Sequence, residues 1–557
     1  MSEYTSTENI IKENVENLQI EDGRILENKQ RKKSSRYWIN LALKLITIGL
    51  IWAHFIWATY YFIDKTSDTL EATTCTGYGF WMILFIFIHF GIMYKLALKP
   101  YVMPKFRKYV WNPTVQLLKK IKYGAIIFYV LVLIAIIAFL VVDTDGDRHR
   151  LISLCGLVVY VIIGFVLSSN KRKIQWHTVT WGLILQFTLG LLMIRWETGR
   201  NVFNCVGDKV DTFLKYALNG SAFVYGNLLV NQESVFAFNA LAAIYFFSFI
   251  INILFYYGIM QNVVAGMGKF IQWVMGTSIC ESVNSATTVF LGMSEAPLML
   301  KPYLKDMTES EIHSIMTAGF AMVSGTVLAA YISFGASPAH LITASVMSAP
   351  AALCYSKLVC PETEEIVATE EKIEAVQMEF DSVLDAASKG TQDASEIVIA
   401  IISSLIAFIA FIYFINGILG WLGMLVGFTD ESEIWSVELI LGKIFIPITY
   451  IMGVQWDECE KVGQLIGIKT MVNEFVAFQK MGSMNLTPKS KVIATYSICG
   501  FANPGSVGIM LSTLGTLMPT RKEVLSKLVM SSFVAGCITC FMTACVAGLL
   551  IGDGEDV

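Results

Sequence analysis

Charge is what this chain has least of. Asp, Glu, Lys and Arg make up 15% of its 557 residues, against about 25% in soluble domains. With 55% hydrophobic residues and a mean hydropathy of +0.58, only the class of polytopic membrane proteins fits. Histidine is scarce, at 6 residues, and no H-E-x-x-H or nucleophile–base set occurs. A membrane-embedded enzyme therefore has nothing to work with. The first 36 residues lack an apolar core and read as a disordered cytoplasmic tail, not a cleaved signal. Of the 11 cysteines, Cys537 and Cys540 form the one C-x-x-C. It lies in the last apolar run without a second pair or a nearby His, so both read as small packing residues. A net charge of −4 gives no sign of a nucleic-acid partner.

Apolar runs of about 20 residues, the length that crosses a bilayer, fall near 39–63, 79–97, 123–142, 151–168, 179–195, 237–260, 311–334, 339–357, 397–421, 490–514 and 524–549. They predict an all-α protein with about eleven transmembrane helices. Two further stretches, 277–301 and 458–480, are interrupted by Gly276, Gly292 and Pro297 and by Gly463, Gly467 and Lys469. They read as re-entrant helical hairpins, tolerated where they are buried in protein or line a cavity. Residues 203–232 are less apolar and read as an interfacial helix. Basic residues cluster in the tail (Lys29 to Arg36), after the second run (Lys99 to Lys122), after the fourth (Lys171, Arg172, Lys173) and in the last loop (Arg521, Lys522). They share one side if the N-terminus is cytoplasmic, which places the C-terminus outside. His54 and His89, in the first two runs, read as packed or helix-bridging.

Two glutamates stand out against this background. Glu295 lies in Gly-Met-Ser-Glu-Ala-Pro-Leu and Glu474 in Asn-Glu-Phe-Val-Ala-Phe, each in a broken apolar stretch. A carboxylate at mid-bilayer costs about 2.5–3.5 kcal/mol on insertion scales, so it is usually kept for a substrate, an ion or a proton. Each is followed by Gly-Phe-Ala, at Gly319 and at Gly500. The parts recur in order, and with three full spans between the hairpins the repeat is inverted. Paired broken segments of this kind point to the binding site of a secondary transporter.

Several long motifs resemble the concentrative nucleoside transporter family. They are Met275 to Asn284, Gly292 to Leu298, Lys301 to Thr308, Gly325 to Gly335, Ala344 to Leu353, the Gly467-x-Lys-x-x-x-Asn-Glu-Phe-Val-Ala run, and Cys499 to Ile509. The resemblance covers about residues 150–549, with three N-terminal spans like the extension of animal-type members. It implies that Met293, Ser294 and Glu295 hold the base, and that Glu474, Asn503 and Ser506 hold the ribose with Phe501 nearby. It implies ion-coupling groups at Thr288, Leu291, Thr326 and Val327. A homotrimer with a central scaffold and moving peripheral domains is also implied, working by elevator-type alternating access. The chemistry agrees: ribose hydroxyls need acceptors, and a carboxylate with an amide supplies directional ones.

Two departures bear on function. Met293 stands where many members have Gln, and Gly292-Met293 with Thr326-Val327 resembles the purine-preferring branch. Thr288 stands where sodium-coupled members carry Asn, and losing one ligand weakens a hard-cation site. The expectation is a plasma-membrane symporter for purine nucleosides and uridine, needing no cofactor, with H+ preferred over Na+ as coupling cation. Glu295 would carry the proton. A nucleoside-gated channel or receptor is the alternative class, and it lacks a pore or ligand-domain signature. The implied division is a tail (1–36), a three-span extension (37–145), scaffold spans with the interfacial helix (146–260), a first transport repeat (261–357), an acidic cytoplasmic linker (358–396), a scaffold span (397–425), a second transport repeat (426–549) and a C-terminal tail (550–557).

Overall fold

The structure, a computed structural model, describes residues 46–63, 77–93, 103–106, 124–366, 380–428 and 434–552, with isolated positions 42, 75 and 101. The expected N-terminal tail and the middle of the acidic linker lie outside the described residues. Among the described residues every regular element is helical. The chain divides into two units, Met1–Ile134 and Ala135–Val557.

The first unit pairs α1 (Ile46–Ile63) with α2 (Gly77–Met93). Neither contains a charged residue, so aromatic shape decides how they meet. Phe55 stacks on Phe85 with centroids 3.8 Å apart, and Phe62 stacks on Tyr78 at 4.5 Å. Positions that rise along α1 fall along α2, so the helices are antiparallel. His54 lies edge-on to Trp81 at 5.2 Å. His89 places Nδ1 2.8 Å from the carbonyl of Phe85, one turn back.

The boundary between the units falls within α3 (Gly124–Asp143), and the second unit continues with α4 (Leu151–Leu167) and α5 (Trp176–Gly190). The loop after α3 is acidic, with Asp143, Asp145 and Asp147, and most of that charge is paired. Asp143 accepts from Arg150 at 2.7 Å and pairs with Arg195 at 2.8 Å, and Asp147 pairs with Lys489 at 3.2 Å. Arg150 also donates to the carbonyl of Leu549 at 2.8 Å. The amphipathic α6 (Glu197–Tyr225) follows.

Next come two sets of elements in the same order. The first is α7 (Ala242–Tyr256) bent by 82° onto α8 (Ile259–Met275), then α9 (Ile279–Thr288), a 3-10 turn at Ala296–Leu300, α10 (Glu309–Ala321), a break, α11 (Leu328–Ser333), and α12 (Pro338–Val359). Capping boxes start α9 at Ser278 and Glu281, and α10 at Thr308 and Glu311. The long α13 (Val383–Leu425) packs on α7 and is mostly exposed. The second set is α14 (Val437–Ile451) bent by 118° onto α15 (Trp456–Met471), then α16 (Glu474–Ser483), α17 (Pro488–Ile498), a break, α18 (Pro504–Leu517) and α19 (Lys522–Leu550). α10, α12 and α19 pack together as the buried centre.

Among the described residues, seven helices are long and apolar enough to cross a membrane, or up to nine if each bent pair is one span. The difference from the expected count has local causes. The run at 490–514 is broken into helices of 11 and 14 residues, and α2 has only 17. α14 was not expected as a helix at all, because Glu438, Lys443 and Pro447 interrupt its apolar run.

Candidate functional site

The second set of elements builds the most polar buried point. Asn473 caps α16, accepting from the backbone N–H of Val476 at 3.1 Å. Asn503 caps α18, accepting from the N–H of Ser506 at 2.8 Å. Asn is a strong cap because its short side chain reaches the orphan N–H groups of the first turn. Capping uses only the carbonyl oxygen of Asn503. Its amide nitrogen is left to donate to Glu474 Oε2 at 2.8 Å. The other carboxylate oxygen accepts from the hydroxyl of Tyr331 at 3.2 Å. Glu474 is 2% exposed, so an unpartnered charge there would be costly.

Tyr331 comes from α11, in the other half of the repeat, and sequence reading did not assign it a role. It stacks on Phe478 at 4.6 Å, so the same ring that packs α11 against α16 also brings a donor to Glu474. Lys469, five residues before Glu474 in the sequence, makes no hydrogen bond to its carboxylate. It is fully buried, yet its Nζ makes no hydrogen bond at all.

The first set places its residues differently. Phe290 offers its carbonyl to the N–H of Gly325 at 3.1 Å, tying the stretch after α9 to the break after α10. A Cβ on Gly325 would lie 2.8 Å from that oxygen, so glycine is what lets the strands of backbone meet. Met293 is buried against Gly319, where a Cβ would come within 2.9 Å of the methionine Cβ. Ser294 and Glu295 are partly buried. Glu295 stands at the start of the 3-10 turn without capping it; its Oε2 accepts from the N–H of Gly292 at 2.5 Å. Thr288 donates its hydroxyl to the carbonyl of Asn284 at 2.8 Å. Asn284 Oδ1, one turn away, is buried without a partner. Leu291, Thr326 and Val327 are buried, and Ser324 caps the turn by accepting from the N–H of Thr326 at 3.1 Å.

Glu474, Asn503 and Ser506 thus form one hydrogen-bonded group, joined by Tyr331. No hydrogen bond among the described residues links Glu295 to it. Phe501 lies in the break before Asn503, partly buried.

The two breaks meet at their Gly-Phe-Ala runs. A Cβ on Gly500 would lie 2.9 Å from the carbonyl oxygen of Phe320, 3.1 Å from that of Ala321 and 2.6 Å from Cys540 Sγ. Cys540 Sγ lies 3.4 Å from the carbonyl of Ala321 and 3.5 Å from that of Cys499. It serves carbonyls that the breaks leave without helical partners. Cys540 is thus more than the filler expected from its sequence. Gly500→Ala should destabilise the protein by about 1–3 kcal/mol, the range for overpacking a rigid interior. A lowered melting temperature of the detergent-purified variant checks this; an unchanged one shows that the breaks can part.

A buried carboxylate held by Asn503 and Tyr331, each beside the break of a discontinuous helix, in a polytopic helical chain, is the arrangement of a secondary transporter for a polar solute. Comparison with known proteins narrows the class. Residues 340–548 match the profile of the Na+ dependent nucleoside transporter C-terminus, 155–228 that of its N-terminus, and 237–338 a nucleoside recognition gate. The chain is 40% identical over 451 residues to sodium/nucleoside cotransporter 2 of Rattus norvegicus, covering 78% of this chain and 67% of the relative. It is 38% identical over 541 residues to solute carrier family 28 member 3 of Eptatretus stoutii, covering 94% and 76%. The solved structure of CNTnw in an inward-facing substrate-bound state is similar with a TM-score of 0.68 at 34% identity, over 72% of this chain and 98% of that one. The chain belongs to the concentrative nucleoside transporter family. It is a cation-coupled nucleoside symporter and not an enzyme.

Proposed function

We propose that this chain imports purine nucleosides and uridine across the plasma membrane, as a homotrimer working by elevator-type alternating access. The observation that carries the reading is Glu474, buried and held by Asn503 and Tyr331. An ionised carboxylate has about four acceptor sites. Two are used here, which leaves acceptors for the vicinal hydroxyls of a ribose. Ser506 and Phe501 complete that end. Met293, Ser294 and Glu295 take the base.

Selectivity follows from Met293. Its thioether pads a ring but offers no partner to a pyrimidine edge, and an exocyclic amine left unpaired in a dry pocket costs about 1–3 kcal/mol. Cytidine should be the poorest competitor of labelled adenosine uptake. Cytidine competing as well as unlabelled adenosine would overturn the assignment of Met293.

The coupling cation in this reading is a proton, carried by Glu295. Thr288 supports it: its side chain is short, and its hydroxyl hydrogen is already given to Asn284. Sodium is the second reading, favoured by the unpartnered Asn284 Oδ1 beside Thr288 and by relatives named as sodium cotransporters. The experiment that tests the whole is radiolabelled adenosine uptake, with Na+ replaced by choline, at mildly acid and mildly alkaline external pH. A carrier accumulates adenosine against its gradient; a channel only equilibrates it.

A further inference from the structure

Two Asn-x-Ser/Thr triplets without a central proline occur in the chain, Asn219-Gly-Ser and Asn485-Leu-Thr. Such a triplet accepts an N-linked glycan where it faces the lumen during synthesis and the outside afterwards. Contacts at both ends and in the middle of α6 fix the side on which Asn219 lies. The loop with Lys171, Arg172 and Lys173 meets the end of α12, where Ser169 donates its N–H to the carbonyl of Val359 at 2.9 Å. On the same face, Arg521 donates to the carbonyl of Met307, next to Thr308, whose hydroxyl donates to Glu362 at 3.0 Å. This is the basic face, cytoplasmic by the positive-inside rule. α6 meets the opposite ends of these helices. Arg195, just before α6, pairs with Asp143, ahead of α4, at 2.8 Å. Midway, a Cβ on Gly207 would lie 2.8 Å from the nitrogen of Ala339, at the start of α12. Near its end, Ser221 donates to the carbonyl of Phe238, ahead of α7. From there α7 leads away to α8, and the carbonyl of Met275 that ends α8 accepts from Thr178, beside the basic loop, at 3.0 Å.

We propose that Asn219 carries an N-linked glycan on the outer face and that Asn485 carries none. At about 100° per residue, α6 presents three sides. Gly207, Leu214, Ala217 and Ser221 share one, and all are buried. Val202, Val206, Tyr216 and Phe223 share a second, and all are exposed. Asn204, Asp208, Asp211, Lys215 and Asn219 share the third, where Lys215 pairs with Asp211 at 2.6 Å. An interfacial helix turns its apolar side to the acyl chains and its charged side to water. Asn219 is exposed on the water side, and Gly220 beside it borders open space. Nearness to the membrane counts against an acceptor read from sequence, and the direction in which Asn219 faces answers that objection. The length of chain answers it too. Asn219 lies well beyond Arg195, where the preceding span ends, and well before Ala242, where α7 begins. About 20 extended residues, as on either side of it, span about 70 Å, so the triplet clears the membrane before α6 folds. Asn485 has no such freedom. It sits in the short loop between Ser483, ending α16, and Pro488, starting α17. Thr487, the third residue of its triplet, donates its hydroxyl to Glu458 at 2.7 Å and its N–H at 2.9 Å.

The test is electrophoresis of the full-length chain from animal cells, before and after digestion with peptide-N-glycosidase. It is read in whole-cell lysate, because the glycan is added during synthesis and needs no delivery to the surface. On digestion the wild type should lose the mass of one glycan. Asn219→Gln should run, undigested, where the digested wild type runs, and digestion should not move it. Ser221→Thr keeps the acceptor hydroxyl and should keep the shift. Asn485→Gln should behave as the wild type does. A wild type that digestion does not move overturns the proposal, as does a shift that survives in Asn219→Gln or disappears in Asn485→Gln. The side of the membrane has its own readout. In intact cells, Asn219→Cys should react with a membrane-impermeant maleimide added outside, above the wild-type level. Labelling that appears only after permeabilisation overturns the outer placement and the glycan with it.

Discussion

Glu474→Gln is expected to reach the cell surface at the wild-type level and to carry almost no nucleoside. The substitution keeps shape and burial but changes what the site offers. In the wild type, one carboxylate oxygen accepts from Asn503 Nδ2 at 2.8 Å and the other from the Tyr331 hydroxyl at 3.2 Å. Both neighbours are donors aimed at acceptors. An amide has one acceptor oxygen, and its NH2 must face either the Asn503 nitrogen or the tyrosine hydroxyl. The acceptors meant for the ribose go with the charge. A hydrogen bond to a charged group is worth about 1.5–3 kcal/mol, and every 1.4 kcal/mol is about tenfold. Each ribose hydroxyl left without its acceptor therefore lowers transport by roughly 10- to 100-fold. Labelled adenosine uptake, normalised to biotinylated surface protein, checks this. Near wild-type uptake at equal surface level would remove Glu474 from the substrate site.

The glutamates could be found in sequence because membrane insertion makes a carboxylate expensive anywhere else. Asn503 is legible only through the family resemblance, and the caps that it and Asn473 make come from the structure. Tyr331 could not. It sits in an apolar run, where an aromatic reads as packing, and only the fold brings its hydroxyl to Glu474, 143 positions away. Position decides this, and periodicity does not report it. The breaks show the same limit. Gly-Phe-Ala marked where the repeats correspond, yet 311–334 and 490–514 read as continuous spans. What keeps them open is tertiary: Gly500 against the carbonyls of Phe320 and Ala321, and Cys540 Sγ near the carbonyls of Ala321 and Cys499. The helix α14 was hidden for the opposite reason. Lys443 and Pro447 lower its apparent apolarity, but contact with α15 supports it. Likewise Asp143 is neutralised by Arg150 and Arg195, the second of them far along the chain.

The coupling cation gives the other large effect. With a proton as co-substrate, adenosine uptake should persist in choline and rise severalfold as external pH falls from mildly alkaline to mildly acid. The sign follows from import: the proton binds outside and leaves inside, so external acid raises both occupancy and driving force. Glu295 is the group expected to carry it. It is partly buried, one oxygen is held by the Gly292 N–H, and no cation pairs with it among the described residues. Protonation removes a charge that burial disfavours. Glu295→Gln mimics the protonated carboxyl in shape and charge, so it should flatten the pH dependence and leave whatever uptake survives insensitive to choline replacement. Uptake that is strictly sodium-dependent and flat over the same pH range would refute the proton reading. The site would then be an oxygen cage in which Asn284 Oδ1, unpartnered and one turn from Thr288, supplies the side-chain oxygen that Asn gives elsewhere in the family. Thr288→Asn would add a ligand to that cage, and it should raise apparent sodium affinity, because a hard cation gains with each oxygen that reaches it.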